Sequence, residues 1–221
     1  MKKVLVISPH PDDETLGCAG TLLAHKENGC DISWVIMTAM SDSEDSSKLD
    51  ERKKEVQKVA SIYDFKSVYE LNFETTKLDS LPLSDVINRL SEVFNKETPD
   101  TLYVPYRYDA HTDHKVTFDA ISACTKSFRS NIKIIRAYET VSETGFSLDN
   151  SKQFSPNTWI NITDFMEEKI KIMNIYKSEI SSHPFPRSDE SIRSLAIIRG
   201  SQSGLKYAEA FITLKHIIAN G

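Results

Sequence analysis

The sequence predicts an α/β fold, a three-layer sandwich in which helices cover both faces of a mostly parallel sheet. Two observations carry this prediction. Short apolar segments alternate with helical segments over more than half of the 221 residues, which is typical of parallel sheets with crossover helices. The strand segments "KVLVIS" and "DISWVIMTA" are also almost continuously apolar, as in strands buried on both faces. The length suits one large domain, so we expect a single domain over 1–221.

The alternation runs from residue 3 to about residue 127, and the periodicity of apolar residues assigns each element. Strands are predicted at 3–8, 31–39, 68–71 and 101–105, and helices at about 14–28, 51–62, 83–96 and 113–127. Gly29 is a plausible stop for the first helix. The segment 40–51, "MSDSEDSSKLDE", is too polar for the core and is expected to be a loop.

The pattern is looser after residue 132. We predict a strand in "IKIIRAYE" (132–139) and one amphipathic helix over "ITDFMEEKIKIMNIYKSEI" (162–180). The proline-rich segment "SSHPFPRSDES" (181–191) is expected to be a loop, in which His183 is an ordinary loop histidine or rims a pocket. The last apolar segment, "YAEAFITLKHI" (207–217), fits either a strand or a helix.

Composition excludes several classes of protein. The net charge is −5, with 27 basic residues scattered among 32 acidic ones, which argues against nucleic acid as a partner. Cys18, Cys30 and Cys124 form no CxxC pair, so neither a disulfide framework nor a thiolate zinc site is indicated, and a reducing, cytoplasmic setting is expected. The apolar run Val4–Ile7 is too short for a signal peptide, and no segment is long enough for membrane insertion.

Two motifs rich in histidine and carboxylates follow predicted strands. "PHPDDE" (9–14) follows the first strand, "YRYDAHTDH" (106–114) follows the strand "TLYVP", and together they hold three of the six histidines. Ligands of open α/β sheets collect at the carboxyl ends of the parallel strands. Clustered carboxylates repel one another unless a cation lies among them, so the motifs together indicate a metal site.

His10, Asp13 and His114 can supply the metal ligands. A catalytic zinc ion takes about three protein ligands from histidine and carboxylate groups and keeps one position for water. His10 and Asp13 are three residues apart, as are His111 and His114, so each pair can face the same point. Iron(II) or cobalt would also fit these donors. The acids at 12–14 could instead only cap a helix, but capping requires neither His10 nor the distant motif.

The remaining polar residues of the motifs suggest catalytic roles. Asp12, which the metal does not need, can take a proton from water and deliver it to a leaving amine. His111, as an imidazolium, could stabilise the oxyanion of the intermediate. Asp113 is placed to hydrogen-bond the second nitrogen of a histidine ligand. Asp109 is a candidate for substrate binding. Alternatively, it could contact a metal ligand from behind or be an ordinary turn residue.

The pair "PHPDDE" and "HTDH" (111–114) resembles the LmbE-like, or PIG-L, family of zinc-dependent de-N-acetylases that act on N-acetylglucosamine conjugates. The resemblance extends to "ERKKE" (51–55) and "YAEAF" (207–211). It implies a Rossmann-like sheet, metal ligation by the residues named above, base catalysis by Asp12 and oxyanion support by His111. It also implies that Arg52 contacts substrate, although its charged helix could simply face solvent. Family members often form homo-oligomers.

The sequence therefore predicts a metal-dependent hydrolase that removes the N-acetyl group from a small 2-acetamido sugar conjugate. The alternatives are a hydrolase of another small amide or ester and a non-catalytic sugar- or nucleotide-binding module. A nicotinamide oxidoreductase is disfavoured because "GCAG" (17–20) lacks the GxGxxG order. Gly17 and Gly20 are instead expected to let the first helix pack closely on the sheet.

Overall fold

The computed structural model describes residues 2–40, 45–149 and 151–218. Its strands form one seven-stranded sheet in the order β3-β2-β1-β4-β5-β7-β6. They are β1 (Lys3–Ser8), β2 (Asp31–Ala39), β3 (Ser67–Glu74), β4 (Thr101–Val104), β5 (Ile134–Tyr138), β6 (Thr158–Asn161) and β7 (Ala208–His216). The first five pair in parallel, and β7 and β6 add antiparallel pairs at one side. The mostly parallel α/β sheet is confirmed.

Helices cover both faces of this sheet. They are α1 (Asp13–Glu27), α2 (Ser46–Tyr63), α3 (Leu83–Glu97), α4 (Thr112–Cys124), α5 (Met166–Met173) and α6 (Asp189–Ser203). One apolar core lies between the sheet and α1, α2, α5 and α6, and a second lies between the sheet and α3 and α4. Val4 and Val6 belong to the first core and Leu5 and Ile7 to the second, which explains why β1 has no polar face. No helix within the described ranges is long and apolar enough to span a bilayer.

Several elements differ from the sequence prediction. The helix predicted over 162–180 is present but much shorter than predicted: a short 3-10 turn at Thr163–Phe165 leads into α5, which ends at Met173. Strand β6 and helix α6 were not predicted, and the final apolar segment is a strand. Helix α2 begins at Ser46 rather than near residue 51, because the Asp45 side chain caps it by accepting a hydrogen bond from the Ser47 amide. Residues 41–44 of the expected loop lie outside the described residues.

The sheet order brings the two polar motifs together. Strands β1 and β4 are parallel neighbours, with Val4 opposite Thr101 and Val6 opposite Tyr103. Their carboxyl ends therefore meet at the same edge of the sheet, at the point where the chain turns into α1 and α4. The segments 9–14 and 106–114, about one hundred residues apart in sequence, become adjacent for this reason alone.

The last strand anchors α1 through a buried ion pair. The Glu209 carboxylate accepts hydrogen bonds from the backbone amides of Gly20 and Thr21, at 3.0 and 2.9 Å. Lys169 of α5 donates to the Leu16 carbonyl and to Glu209, both at 2.7 Å. Both charged side chains are buried. The segment 207–211 thus has a structural role, since it holds the helix that carries part of the site.

The glycines of α1 allow a close approach to the sheet. A Cβ at Gly17 would lie 2.3 Å from Tyr138 Cδ2, and one at Gly20 would lie 2.3 Å from Ile162 Cγ2. Both distances are far below van der Waals contact, so no larger residue fits without movement. These contacts agree with the packing role predicted for the "GCAG" segment.

Candidate active site

The structure brings His10, Asp13 and His114 to one point. Asp13 Oδ2 lies 3.3 Å from His10 Nδ1 and 3.3 Å from His114 Nε2, and the three donor atoms all lie within 4.8 Å of one another. His114 Nε2 is fully buried and makes no hydrogen bond to any described residue. A buried nitrogen without a partner is costly unless something else binds it. The donor set and this unsatisfied atom both fit a divalent metal ion.

A carboxylate holds the second nitrogen of each histidine. Asp109 Oδ2 lies 2.8 Å from His114 Nδ1, and Asp113 Oδ2 lies 3.1 Å from His10 Nε2. Both carboxylates are fully buried, and Thr144 donates a further hydrogen bond to Asp109. Such carboxylates fix the orientation and tautomer of metal-binding imidazoles. They leave Nε2 of His114 and Nδ1 of His10 directed towards Asp13.

This arrangement revises the expectation for Asp109. The residue is fully buried behind His114 and does not line the cavity beside the site. Its position therefore favours a contact with His114 over a direct contact with substrate. Asp113 lies where the sequence placed it, against a histidine nitrogen. The backbone amides of Thr76 and Leu78, just after β3, also donate to Asp113, which ties a third strand end to the site.

The site also shifts the pKa values of His10 and Asp13. Burial alone would lower the pKa of His10, but its hydrogen bonds to Asp113 and Asp13 raise it to about 9. The pKa of Asp13 is held well below its usual range, because the neighbouring histidines outweigh the effect of burial. Both shifts have the same origin, which is the close contact of buried carboxylates with imidazoles.

Asp12 lies beside His10, Asp13 and His114 in a strained backbone conformation. Its φ angle is 131°, a region that residues other than glycine rarely adopt. The side chain is buried, lines the cavity and does not cap α1, so the alternative that it only caps the helix is not supported. Burial and the charge of Asp13 raise the pKa of Asp12 well above its usual range, so this carboxylate holds a proton more tightly than an exposed aspartate, as a proton carrier requires.

His111 faces the cavity with one nitrogen already engaged. Its Nδ1 accepts a hydrogen bond from the backbone amide of Asp113 at 3.1 Å, so the neutral ring carries its proton on Nε2. Burial and the charge of His10 lower the pKa of His111. The expectation that it acts as an imidazolium is therefore corrected, because the hydrogen bond requires an unprotonated Nδ1. A neutral N–H donor remains available to an oxyanion.

A cavity of about 290 Å³ opens beside these residues. Arg52 lies on its wall, forms a hydrogen bond with Glu179 and lies 3.5 Å from Glu55. Arg187 also pairs with Glu179, at 3.1 Å, and its Nε lies 4.0 Å from Asp12 Oδ2. Glu179 thus joins two arginines on one wall.

Sequence reasoning missed Arg187 and Glu179. The segment 181–191 drew attention through His183, but that histidine is exposed, and Arg187, four residues later, reaches the cavity instead. Glu143, which the sequence also did not single out, is half-buried on the same cavity, and burial raises its pKa. The only available signal was a charged residue in a loop rich in prolines, which does not by itself distinguish a site from a surface.

The chain is similar in sequence and in fold to several known proteins. The PIG-L family model, described as GlcNAc-PI de-N-acetylase, matches residues 5–125. A diacetylchitobiose deacetylase of Thermococcus kodakarensis is 28% identical over 95% of this chain and 82% of its own. The structure of N,N'-diacetylchitobiose deacetylase from Pyrococcus horikoshii, in complex with an inhibitor, is 26% identical, has a TM-score of 0.76 and covers 97% of this chain and 84% of that one. The structure of a conserved protein from Thermus thermophilus is 22% identical and has a TM-score of 0.80, and the match covers 100% of this chain and 98% of that one. This similarity shows that the two proteins share a fold.

Proposed function

Because the chain belongs to the PIG-L family of de-N-acetylases, we propose that it hydrolyses the acetamido group of an N-acetylglucosamine-type sugar conjugate to acetate and the free amine. The observation that carries this proposal is the convergence of His10, Asp13 and His114 beside a carboxylate, Asp12, which is not needed for ligation. A binding module has no evident use for such a spare carboxylate. A hydrolase needs one to move protons.

The three ligands would hold a divalent metal ion, and zinc is the ion we propose. Two imidazoles and one carboxylate are a usual set for a catalytic zinc site, although iron(II) or cobalt fits the same donors. When bound, such an ion polarises a carbonyl group and lowers the pKa of water towards about 7. The unsatisfied Nε2 of His114 supports this assignment, because it is the atom that a ligand role requires to be free.

The reaction then depends on two side chains of the cavity. Asp12 accepts a proton from the attacking water as the oxygen of that water forms a bond to the acetamido carbon. His111 donates its Nε2 proton in a hydrogen bond to the oxygen that becomes negative. As the C–N bond breaks, Asp12 delivers its proton to the departing nitrogen, which leaves as an amine. The second product is acetic acid, which releases its proton to solvent and becomes acetate, and Asp12 returns to its initial state.

The cavity wall would bind the sugar. Arg52 reaches the cavity from α2 and is fixed by Glu179 and Glu55, so its remaining donors are presented to a ligand in one orientation. Charged groups of both signs line the wall, which favours a neutral, hydroxyl-rich substrate over a strongly charged one. We expect Arg52→Ala to raise KM more than it lowers kcat, because the arginine binds substrate in the ground state and the transition state alike.

The direct test is hydrolysis of N-acetylglucosamine glycosides with free, phosphorylated, lipid-linked and thiol-linked aglycones. Acetate and amine should be released in equal amounts, and a chelator should stop the reaction until metal is restored. Turnover that survives complete removal of metal would refute the proposal. Release of product only from unrelated amides or esters would redirect it to another substrate class.

Two substitutions separate metal binding from proton transfer. Asp12→Asn should keep its metal and lose most of kcat, whereas His114→Ala should lose metal as well. Asp119→Asn, a half-exposed carboxylate on α4 paired with Arg107, is the matched control and should behave as wild type. An Asp12→Asn variant with full activity would show that the proton carrier has been assigned to the wrong residue.

A further inference from the structure

Glu14, the last acid of the "PHPDDE" motif, has no part in the reaction proposed above, yet it is the most enclosed carboxylate of the motif. Its side chain is 0% exposed. The Glu14 carboxylate binds neither of the two histidine ligands, and it does not line the cavity. A buried carboxylate is costly unless hydrogen bonds compensate for its lost hydration, so its partners indicate what it does.

The partners of Glu14 are three donors. Oε2 accepts a hydrogen bond from the backbone amide of Asp12 at 3.1 Å. Oε1 accepts from the hydroxyl of Thr15 at 2.7 Å and from the hydroxyl of Tyr176 at 2.8 Å. The Thr15 hydroxyl also lies 3.0 Å from the hydroxyl of Tyr63. Oε1 is therefore fixed by hydroxyl groups from outside the motif, while Oε2 holds the backbone of Asp12.

The backbone that Glu14 holds is the strained one. Asp12 has a φ angle of 131°, and a residue with a side chain adopts such a conformation only when surrounding contacts impose it. The hydrogen bond from the Asp12 amide to Glu14 is such a contact. If Asp12 returned to an ordinary φ angle, its amide would turn away from Glu14 and its carboxylate would leave its place beside Asp13.

We propose that Glu14 is a positioning residue that keeps Asp12 in its strained conformation by accepting the hydrogen bond from the Asp12 amide. This inference rests on the proposed role of Asp12 as the proton carrier. Glu14 acts through the backbone and not through its charge, so any side chain of the same shape with a suitable oxygen can replace it. Tyr176, whose ring also lies 5.6 Å below the Arg52 guanidinium, links this support to the cavity wall.

The test compares Glu14→Gln with Glu14→Met in the metal-loaded, full-length protein. The glutamine oxygen can accept from the Asp12 amide while its NH₂ group donates to the two hydroxyls, so kcat should stay within about threefold of wild type. Methionine has a similar volume and cannot accept the bond, and kcat should fall by about ten- to a hundredfold, as expected for a displaced catalytic group. KM and the metal content should not change in either variant.

Crystal structures of the two variants supply a readout that is independent of activity. The φ angle of Asp12 should stay near its wild-type value in Glu14→Gln and relax in Glu14→Met. Equal losses of kcat in the two variants would overturn the inference, because the hydrogen-bond acceptor would not be the property that matters. A Glu14→Met variant with wild-type kcat would also overturn it. Asp12→Asn is measured in the same assays. If it is inactive, either of these two overturning results concerns the role of Glu14 alone and leaves the proposed function intact.

A second pair of variants decides the question if Glu14→Met does not fold. Tyr176→Phe removes a hydroxyl that contacts Glu14, and Tyr63→Phe removes a hydroxyl of equal burial whose one hydrogen-bond partner among the described residues is Thr15. We expect kcat to fall severalfold in Tyr176→Phe and to stay unchanged in Tyr63→Phe, with equal metal content. The same kcat in both variants would overturn the inference.

Discussion

Replacing Asp109 tests whether this residue serves the metal ligand or the substrate. The Asp109 carboxylate accepts from His114 Nδ1 at 2.8 Å and from the Thr144 hydroxyl at 2.6 Å, and Asp109 and His114 are each 0% exposed. Asp109→Ala leaves the buried Nδ1–H of His114 without an acceptor, at a cost of about 1–3 kcal/mol, and it removes the acceptor of the half-buried Thr144 hydroxyl. The imidazole of His114 also loses the partner that fixes its orientation. Loss of such a partner lowers metal affinity by about 10–100-fold, equivalent to about 1.4–2.8 kcal/mol.

The assay is a competition for metal against a chromophoric chelator, followed by steady-state kinetics at saturating metal. Asp109→Asn can keep one hydrogen bond to His114 through its amide oxygen, so its affinity should lie between those of wild type and Asp109→Ala. Asp119→Ala, on the outer face of α4 and paired with Arg107, controls for the loss of a carboxylate. We expect KM at saturating metal to change by less than about threefold in all variants, which fits a residue that touches no substrate.

A raised KM with unchanged metal affinity in Asp109→Ala would refute this reasoning. That result would restore the role that the sequence first suggested for Asp109, as a group in contact with substrate. It would also mean that His114 needs no carboxylate on its second nitrogen, contrary to the general behaviour of metal-binding histidines.

Three further predictions concern pH and stability. His10, with a pKa of about 9 in the absence of metal, is protonated at pH 7 and must lose that proton to bind an ion. Loss of this one proton should make metal affinity rise by close to tenfold per pH unit above pH 7 and level off around pH 9, and an affinity that does not change with pH in a chelator titration would contradict this. Gly17→Ala places a methyl group 2.3 Å from Tyr138 Cδ2, so urea denaturation should show a free energy of unfolding lower by about 1–3 kcal/mol. Unchanged stability would show that Tyr138 and its strand can move to make room for the methyl group. Glu209→Ala leaves the buried charge of Lys169 without a partner, so the free energy of unfolding should fall by about 3–5 kcal/mol. Adding Lys169→Met should restore part of this stability. A double variant no more stable than Glu209→Ala would argue against an unpaired charge as the cause.

Local patterns in the sequence were sufficient for the first five strands of the sheet and for the helices among them. Each of these strands is a short apolar run, and each helix repeats apolar residues at helical spacing, so the information lies within ten to twenty residues. The two polar motifs could be assigned to strand ends for the same reason. The prediction that the two motifs lie close together came from a general rule, that ligand-binding groups collect at the carboxyl ends of parallel strands. It did not come from any local feature of His10 or His114.

Local patterns failed where contacts with distant residues decide the structure. The segment 162–180 has a helical pattern throughout, but α5 ends at Met173, and Tyr176 and Glu179 serve the site from the irregular chain that follows. Helix α6 and strand β6 were missed because their burial comes from packing against elements remote in sequence. Arg187 could not be distinguished from a surface arginine for the same reason.

The residue types alone therefore determined the chemistry available to this protein: two imidazoles and a carboxylate for a metal ion, and a spare carboxylate for a proton. Only the tertiary structure decided how these groups are used. It directed the amide of Asp113 at Nδ1 of His111, buried Asp109 behind His114 and bent the backbone at Asp12. The physical reason is that pKa, tautomer and backbone strain depend on what surrounds a group within a few ångströms, and in this fold those neighbours come from distant parts of the chain.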